Sequence, residues 1–431
     1  MTTLTEMPKY ESYKYSGEEW IGDIPKHWVS QKLKHIFYEK KHKSNMSLSC
    51  GAISFGRVVD KGDEKVTEAT KKSYQEVLNG EFLINPLNLN YDLISLRIAL
   101  SEINVVVSAG YIVLKEKTNL DKNYFKYLLH RYDVAYMKLL GSGVRQTISF
   151  SHISNSLLLL PPIEEQTAIA NFLDEKTSKI DEAIAIKEKQ IELLKERKQI
   201  IIQQAVTQGL DPSVPMKDSG VEWIGQIPAH WNVVKLKYLS TQIVDGTHFT
   251  PTYVDQGIPF LRVTDLSNMV DGKINWQDVC YIPEKEHNTL IKRAKGEIGD
   301  VLISKNGTIG LTKVIDWDEE FSFFVSLCLI KLRKEISPYY FTSFFNSPIV
   351  DQQITFGSSK TSVTNLHLEK IKELLVILPP LNEQNDIDEY VKANSKDLDL
   401  VIGSLLKQIE KLNEYKTTLI NSAVTGKIKV V

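Results

Sequence analysis

No stretch of this sequence stays apolar for the roughly 18 residues that a membrane span requires. Its two greasiest runs, Leu157–Leu160 and Leu374–Leu378, are each stopped by a Pro-Pro pair. The first residues, with Glu6, Lys9 and Glu11, lack the apolar core of a secretory signal, so a cytoplasmic address without membrane contact is expected. Cysteine is scarce: Cys50, Cys280 and Cys328 stand alone, with no CxxC pair and no nearby histidine cluster. A disulfide framework and a zinc site are therefore not indicated, no metal ligand is assigned, and the thiols read as buried. An excess of one charge is also missing, since the 431 residues carry a net charge of −2. Nucleic-acid binding usually leaves a basic footprint, so the total taken alone argues against it. Locally the balance shifts: residues 1–160 hold 21 Lys+Arg against 17 Asp+Glu, and residues 211–378 hold 17 against 20. A basic face on one part remains open. With 42% hydrophobic and 25% charged residues, the chain has the composition of a folded protein of two or three domains.

Catalytic signatures are missing as well. An Asn/Asp-Pro-Pro-aromatic motif that would hold an extruded base has as its nearest match Asn85-Pro86-Leu87-Asn88, which lacks the second proline and the ring and reads as a turn. Gly357-Ser358-Ser359-Lys360-Thr361 ends like a phosphate loop but lacks the first glycine, and Asn306-Gly307-Thr308-Ile309-Gly310 is no dinucleotide fingerprint. There is no His-Glu-x-x-His, and no Ser/His/Asp set can be assigned. The chain is not expected to be an enzyme.

What the sequence does have is periodicity. Apolar residues return every eleventh position in three rows: Ile169, Ile180, Ile191, Ile202; Phe172, Ala183, Leu194, Ala205; and Leu173, Ile184, Lys195, Val206. The same rows recur as Ile387, Leu398, Ile409, Ile420; Tyr390, Val401, Leu412, Ala423; and Val391, Ile402, Asn413, Val424. The one polar slot, Lys195 or Asn413, falls at the same place in both and reads as a solvated edge position. Eleven residues in three turns is about 3.67 per turn, close enough to the natural helix that the stripe barely drifts. Each copy is thus one long helix, the first running from about Ile163 to Gln208 and on the order of 65 Å long. A helix with a single greasy side needs a partner, and the chain supplies one of matching length and period. The two are expected to pack antiparallel as a coiled-coil spacer.

The duplication extends to the whole chain. Ser16-Gly17-Glu18-Glu19-Trp20-Ile21-Gly22-Asp23-Ile24-Pro25-Lys26-His27-Trp28 matches Ser219–Trp231 at ten of thirteen positions. Leu160-Pro161-Pro162-Ile163-Glu164-Glu165-Gln166 matches Leu378-Pro379-Pro380-Leu381-Asn382-Glu383-Gln384. Paired prolines suit a helix's first turn, and acidic residues there favour its positive end. Ala-Val-Thr ends both helices, with Gly209 or Gly426 able to close them. Between these landmarks the two halves share little beyond Gly80–Asn85 against Gly299–Ser304, Val107-Ser108 against Val325-Ser326, and Tyr124-Phe125 against Tyr340-Phe341. Short β-rich runs, turn residues and a helical segment after each aromatic pair indicate an α+β or α/β fold with a mixed or antiparallel sheet. The expected order is a first globular domain over 1–160, the first long helix over 161–209, a linker and second globular domain over 210–378, and the second helix over 379–431. Antiparallel helices would relate the halves by a pseudo-twofold axis and set two dissimilar reading heads apart, as two half-sites on a duplex demand.

The Trp-Ile-Gly-x-Ile-Pro-x-His-Trp element, the Pro-Pro-x-x-Glu-Gln helix start and the Ala-Val-Thr helix end, each present twice and in order, make the chain resemble the DNA-specificity subunit of type I restriction-modification systems. The resemblance covers essentially the full length. It implies two target recognition domains reading one half each of a bipartite DNA site, and helices acting as a ruler. It implies docking of two methyltransferase subunits and of restriction/translocase subunits, with S-adenosylmethionine, ATP and Mg bound by those partners. The competing reading is a coiled-coil scaffold whose end domains bind proteins and not DNA.

Base readout needs Arg or Lys for guanine, Asn or Gln for adenine, and Ser or Thr as adaptable partners. In the second domain the candidates are Thr247 and His248, from Asp245-Gly246-Thr247-His248, which looks like an element found in many family members. Arg262, the loop residues Lys305, Asn306 and Thr308, and Lys360, Thr361 and Ser362 complete that set. In the first domain, which departs from these patterns, Lys40, Lys41 and Lys43 are candidate phosphate contacts. Arg57, Asn85, Asn88, Arg145, Gln146 and Thr147 are candidate readers there. Trp20, Trp28, Trp223 and Trp231 lie outside the divergent regions and are expected to pack rather than stack on bases. The helix-pair core is expected to comprise Ile169, Leu173, Ile180, Ile184, Ile191, Leu194 and Ile202, with Ile387, Val391, Leu398, Ile402, Ile409, Leu412 and Ile420.

Overall fold

A computed structural model describes residues 7–87, 96–137, 140, 148–270, 272–355 and 366–430. The chain forms two compact units: the first takes in the chain up to Lys187 and again from Lys407, the second runs from Glu188 to Leu406. Each unit therefore contains one globular part and a portion of both long helices.

In the first unit, an antiparallel sheet has the order Phe37–Glu39, Ile112–Glu116, Phe82–Ile84, Ile98–Leu100. Helix Lys122–Ala135 packs on it. Asp121 starts that helix by accepting from the Asn123 and Tyr124 amides at 2.9 and 3.0 Å, and Tyr124, Phe125, Leu128, Leu129 and Tyr132 bury its inner face. A separate layer holds the hairpin Gly51–Ser54/Arg57–Asp60 and the pair Gln75–Val77/Val105–Val107. Val29–Lys32 pairs with Leu157–Leu160, bringing the two ends of the divergent region together at the start of the long helix.

The second unit repeats this plan although little of its sequence matches. Its sheet has the order Ser240–Asp245, Leu327–Leu332, Val301–Ser304, Thr312–Val314. Asn232–Lys235 pairs with Leu375–Leu378, and helix Pro338–Phe345 occupies the place of the aromatic helix, with its proline in the first turn. A three-stranded sheet, in the order Cys280–Ile282, Ile258–Leu261, Ser322–Phe323, with the last two parallel, answers the first unit's hairpin, where Cys50 bridges Val106 in parallel. Phe82–Ile84 and Val301–Ser304 are buried at every position and each is the third strand of its sheet, so the short shared runs at Gly80–Asn85 and Gly299–Ser304 mark the same inner strand in both.

The long helices span Ile163–Gln208, 46 residues, and Leu381–Val424, 44 residues. They pack antiparallel. In the first unit Lys416 Nζ bonds Asp181 at 2.6 Å and Lys187 Nζ bonds Gln408 at 2.6 Å, and in the second Lys198 Nζ bonds Asp399 at 2.7 Å. Ile169, Leu173 and Ile180 join Leu419, Ala423 and Val424 in the first core, while Ile202, Ala205 and Val206 join Ile387 and Val391 in the second. Ile191 and Ile402 are buried too, and Ile184, Leu194, Leu398, Ile409, Leu412 and Ile420 are half-buried. Lys195 and Asn413 are exposed. The repeat misplaces Tyr390 and Val401, which face solvent, while Leu405 and Leu419 are buried outside the expected rows. At 3.6 residues per turn a position three further along lies about 60° off the seam on one side, against about 40° for the position four along, so the row beginning at Tyr390 sits at the edge.

Candidate nucleic-acid interface

The duplicated motifs make the same bonds in each unit. Glu165 of the Pro-Pro-x-x-Glu-Gln element accepts from Trp28 Nε1 at 2.9 Å and from the Tyr10 hydroxyl at 2.8 Å, and lies 2.6 Å from His27 Nε2. Glu383 accepts from Trp231 Nε1 at 2.8 Å and lies 2.7 Å from His230 Nε2. Burial pushes the Glu165 carboxyl up, but the bonds from Trp28, His27 and Tyr10 outweigh it and hold the group below the usual carboxylate range. The neighbouring glutamines work in parallel: Gln166 Oε1 accepts from the Asp121 amide at 2.9 Å and Gln384 Oε1 from the Ser337 amide at 2.7 Å. Each helix start is thus tied to the beginning of the aromatic helix and to the His-Trp pair. Trp28 and Trp231 are fully buried, and both meet a helix-ending glycine: Gly426 (φ 71°) packs on Pro25 and Trp28, Gly209 (φ 76°) on Trp231 and Pro228. The first motif is therefore closed by the end of the second long helix, and the second motif by the end of the first. These tryptophans serve packing, as their place outside the divergent regions indicated.

In the second unit the polar loops gather around Asp245. Lys305 Nζ lies 3.0 Å from its carboxylate, His248 Nε2 lies 3.1 Å away, and the Arg293 guanidinium bonds the other oxygen. Burial raises the Asp245 pKa, but Lys305 and Arg293 more than compensate and keep it low. The Lys305 side chain is only 7% exposed, and Thr247 is buried with its hydroxyl turned to the Phe249 backbone. Both side chains are therefore held inside the fold and support the loop rather than reach out from it. His248 and Arg293 remain open to solvent at a cleft of about 330 Å³, which Phe249 also lines. Arg262 is half-buried against Asp265, at the start of the short helix Val263–Ser267. Thr308 is exposed, while Asn306 keeps its side-chain oxygen buried and, among the described residues, without a hydrogen-bond partner. Lys360, Thr361 and Ser362 lie outside the described residues.

In the first unit, Lys40 is drawn in by Glu81 at 2.8 Å and Glu76 at 3.4 Å, so its charge is largely neutralised within the fold. Lys43 stays 69% exposed while touching Glu76, and Lys41 and Arg57 are exposed. Asn85 Oδ1 accepts from the Leu87 amide at 3.1 Å, which makes Asn85-Pro86-Leu87 the turn its composition indicated. Asn88, Arg145, Gln146 and Thr147 lie outside the described residues. Among the described residues no group of three His, Cys, Asp or Glu could hold a metal ion, and no helix is long and apolar enough to cross a membrane.

Residues 25–196 and 228–412 each match the model of the type I restriction modification DNA specificity domain. The chain belongs to that family. It is 27% identical to the provisionally assigned type I restriction enzyme MjaX specificity subunit of Methanocaldococcus jannaschii, over the full length of both chains. It is 23% identical to the EcoBI specificity subunit of Escherichia coli, over 73% of this chain and 67% of that one. A chain in a solved structure concerned with complex assembly and conformational transition of the type I R-M system superposes with a TM-score of 0.67 at 15% identity, covering 93% of this chain and 98% of that one. The chain accordingly serves as the DNA-sequence-specificity subunit of a type I restriction-modification system.

For a specificity subunit the informative split is between what is duplicated and what is not. The twin Glu–His/Trp ties and the sheet order recur, whereas among the described residues the Asp245 cluster has no counterpart at the matching strand of the first unit, Phe37-Tyr38-Glu39. Sequence reading missed Arg293, which lies on no recognisable motif. It also missed the partnership of Glu165 with Trp28, although both belong to elements that occur twice and together.

Proposed function

We propose that each unit reads one half of an interrupted, asymmetric duplex sequence and that the long helices set the number of base pairs between the halves. The observation that supports this most directly is duplication of the scaffold with divergence of its loops: identical heads would suit a palindrome, and different heads suit two unlike half-sites. In the second unit, His248, Arg293, Arg262, Asn306 and Thr308 contact the DNA from loops that Asp245, Thr247 and Lys305 hold in shape. In the first, Lys41, Lys43 and Arg57 meet phosphates, Lys40 braces their loop, and Asn85 belongs to the reading turn. The remaining contacts come from the segments carrying Asn88, Arg145, Gln146, Thr147, Lys360, Thr361 and Ser362.

Chemistry belongs to partner chains in this account. Two methyltransferase subunits bring S-adenosylmethionine to adenines within the site, and restriction/translocase subunits bring ATP and Mg. This chain holds no cofactor, and the complex works in the cytoplasm. Apolar side chains left open on the helices support a docking role: in the second unit Leu193, Ile200, Leu400 and Leu406 are all exposed, an arrangement that a covering partner explains. Methylome sequencing of cells carrying the complete system, with and without this chain, tests the reading. One bipartite motif that is methylated only when the chain is present supports it; an unchanged methylome, or a motif without two separated halves, would contradict it.

A further inference from the structure

Among the described residues Phe55 is the one non-glycine with a left-handed backbone, at φ 48°. It occupies the tip of the hairpin Gly51–Ser54/Arg57–Asp60, where Ser54 pairs with Arg57 and Gly56 follows at φ 71°. Two successive positive φ values in a two-residue loop match the twist of the strands, and the first position normally takes Asn, Asp or Gly, which tolerate that backbone. A phenylalanine there is sterically disfavoured. The residue is also 94% exposed, the highest value of any large hydrophobic residue among those described. Phe55 thus forgoes both a relaxed backbone and the burial that ordinarily stabilises an aromatic ring.

The backbone on either side of the ring is closely packed. Gly56 is buried, and a Cβ there would lie 2.7 Å from Leu96 Cδ1 and 3.5 Å from the His130 ring. At the hairpin's other end a Cβ on Gly51 would lie 2.7 Å from Val105, and Val58 belongs to the core between them. The ribbon lies against its domain and cannot enter a groove as a whole; only the side chains at its tip can. The exposed Arg57 follows Phe55 by two residues, opposite Ser54 at the base of that tip.

We propose that Phe55 is an aromatic wedge, whose ring enters the base stack at one step of the half-site read by the first unit while Arg57 meets the flanking phosphate. The proposal rests on the DNA-recognition reading and adds to it the residue that deforms the duplex. Apolar wedges of this kind part neighbouring base pairs and kink the helix, and steps differ in how readily they unstack. The wedge therefore contributes sequence preference without a hydrogen bond, favouring a flexible pyrimidine–purine step.

The test uses the full chain with its methyltransferase partner and a duplex carrying the site found by methylome sequencing. 2-Aminopurine replaces, one at a time, the adenines other than the methylated ones. Wild type should raise fluorescence at one step of the first unit's half-site. Phe55→Ala and Phe55→Asn should abolish that rise and weaken binding on the order of 10-fold, the size of a lost base–aromatic stack, whereas Phe55→Trp should retain both. Asparagine suits the left-handed backbone, so Phe55→Asn should melt at or above the wild-type temperature, which separates lost function from lost fold. Binding within two-fold of wild type and an unaltered fluorescence pattern in both variants would overturn the wedge and leave DNA recognition standing. Weaker assembly with the methyltransferase partner at unchanged fluorescence would overturn it in favour of a protein contact. Absence of any sequence preference in wild type would remove the DNA-recognition reading itself, and the wedge with it.

Discussion

Replacing Glu165 with alanine tests what closes the first unit. The carboxylate takes Trp28 Nε1 at 2.9 Å, the Tyr10 hydroxyl at 2.8 Å and His27 Nε2 at 2.6 Å. Trp28 is fully buried, so its N–H loses its partner and cannot turn to water, at a cost of about 1–3 kcal/mol. Tyr10 and His27 are more open and can be hydrated, losing about 0.5 kcal/mol each. The sum is roughly 2–4 kcal/mol. Glu383→Ala breaks only the bonds to Trp231 and His230 and should cost about 2 kcal/mol. Urea unfolding of the full chain gives the magnitudes, and hydrogen exchange locates them. Glu165→Ala should speed exchange around residues 20–36 and 163–175 while leaving 223–239 and 381–393 unchanged. The sign with pH follows from the depressed folded-state pKa of Glu165. Its stabilisation is complete above the unfolded value near 4.5 and is lost as pH falls through the lower folded value, so the gap between variant and wild type should narrow in acid. Unfolding within about 0.5 kcal/mol of wild type, or equal acceleration of exchange in both units, would refute the reasoning.

Two further outcomes follow. Burial holds His130 down to about 4, from 6.5, so wild-type stability is fully present above pH 6.5 and falls as pH drops through that window, by about 3 kcal/mol in all. His130→Gln should remove that part of the slope in thermal melts, and an unchanged slope would show that the ring is not kept neutral. Adding eleven residues to both long helices around Lys187 and Gln408, which bond each other, should lengthen the pair by about 16 Å. That should widen the gap in the methylated motif by roughly 5 base pairs at about 3.4 Å each; an unchanged gap would show that the helices do not measure it.

Much of this fold could be read from the sequence because its strongest signals are periodic or repeated. Eleven-residue spacing depends only on helix geometry, and it identified the buried residues Ile169, Ile180, Ile191 and Ile202 directly. Pro-Pro and glycine signals set the helix ends, since their backbone constraints act locally. Closure of each tryptophan motif by the other copy's helix was not legible, because contacts such as Gly426 on Trp28 join residues some four hundred positions apart and leave no local trace. The candidate loops divided for a similar reason. A lysine beside a flexible glycine looks available in sequence, but Lys305 is neutralised by Asp245 and Lys40 by Glu81, partners fixed only when distant strands pair. Phe55 escaped notice because its strain is a property of the turn and not of the residue type.

The central claim is that two independent heads each read half of one site, and exchange of a single head tests it most directly. Residues 29–155 would be replaced by the corresponding segment of another family member whose methylated motif is known, and the methylome sequenced in cells carrying the complete system. The account predicts a hybrid motif in which one half-site changes and the other, with its spacing, stays. Alteration of both half-sites, or of neither, would contradict it.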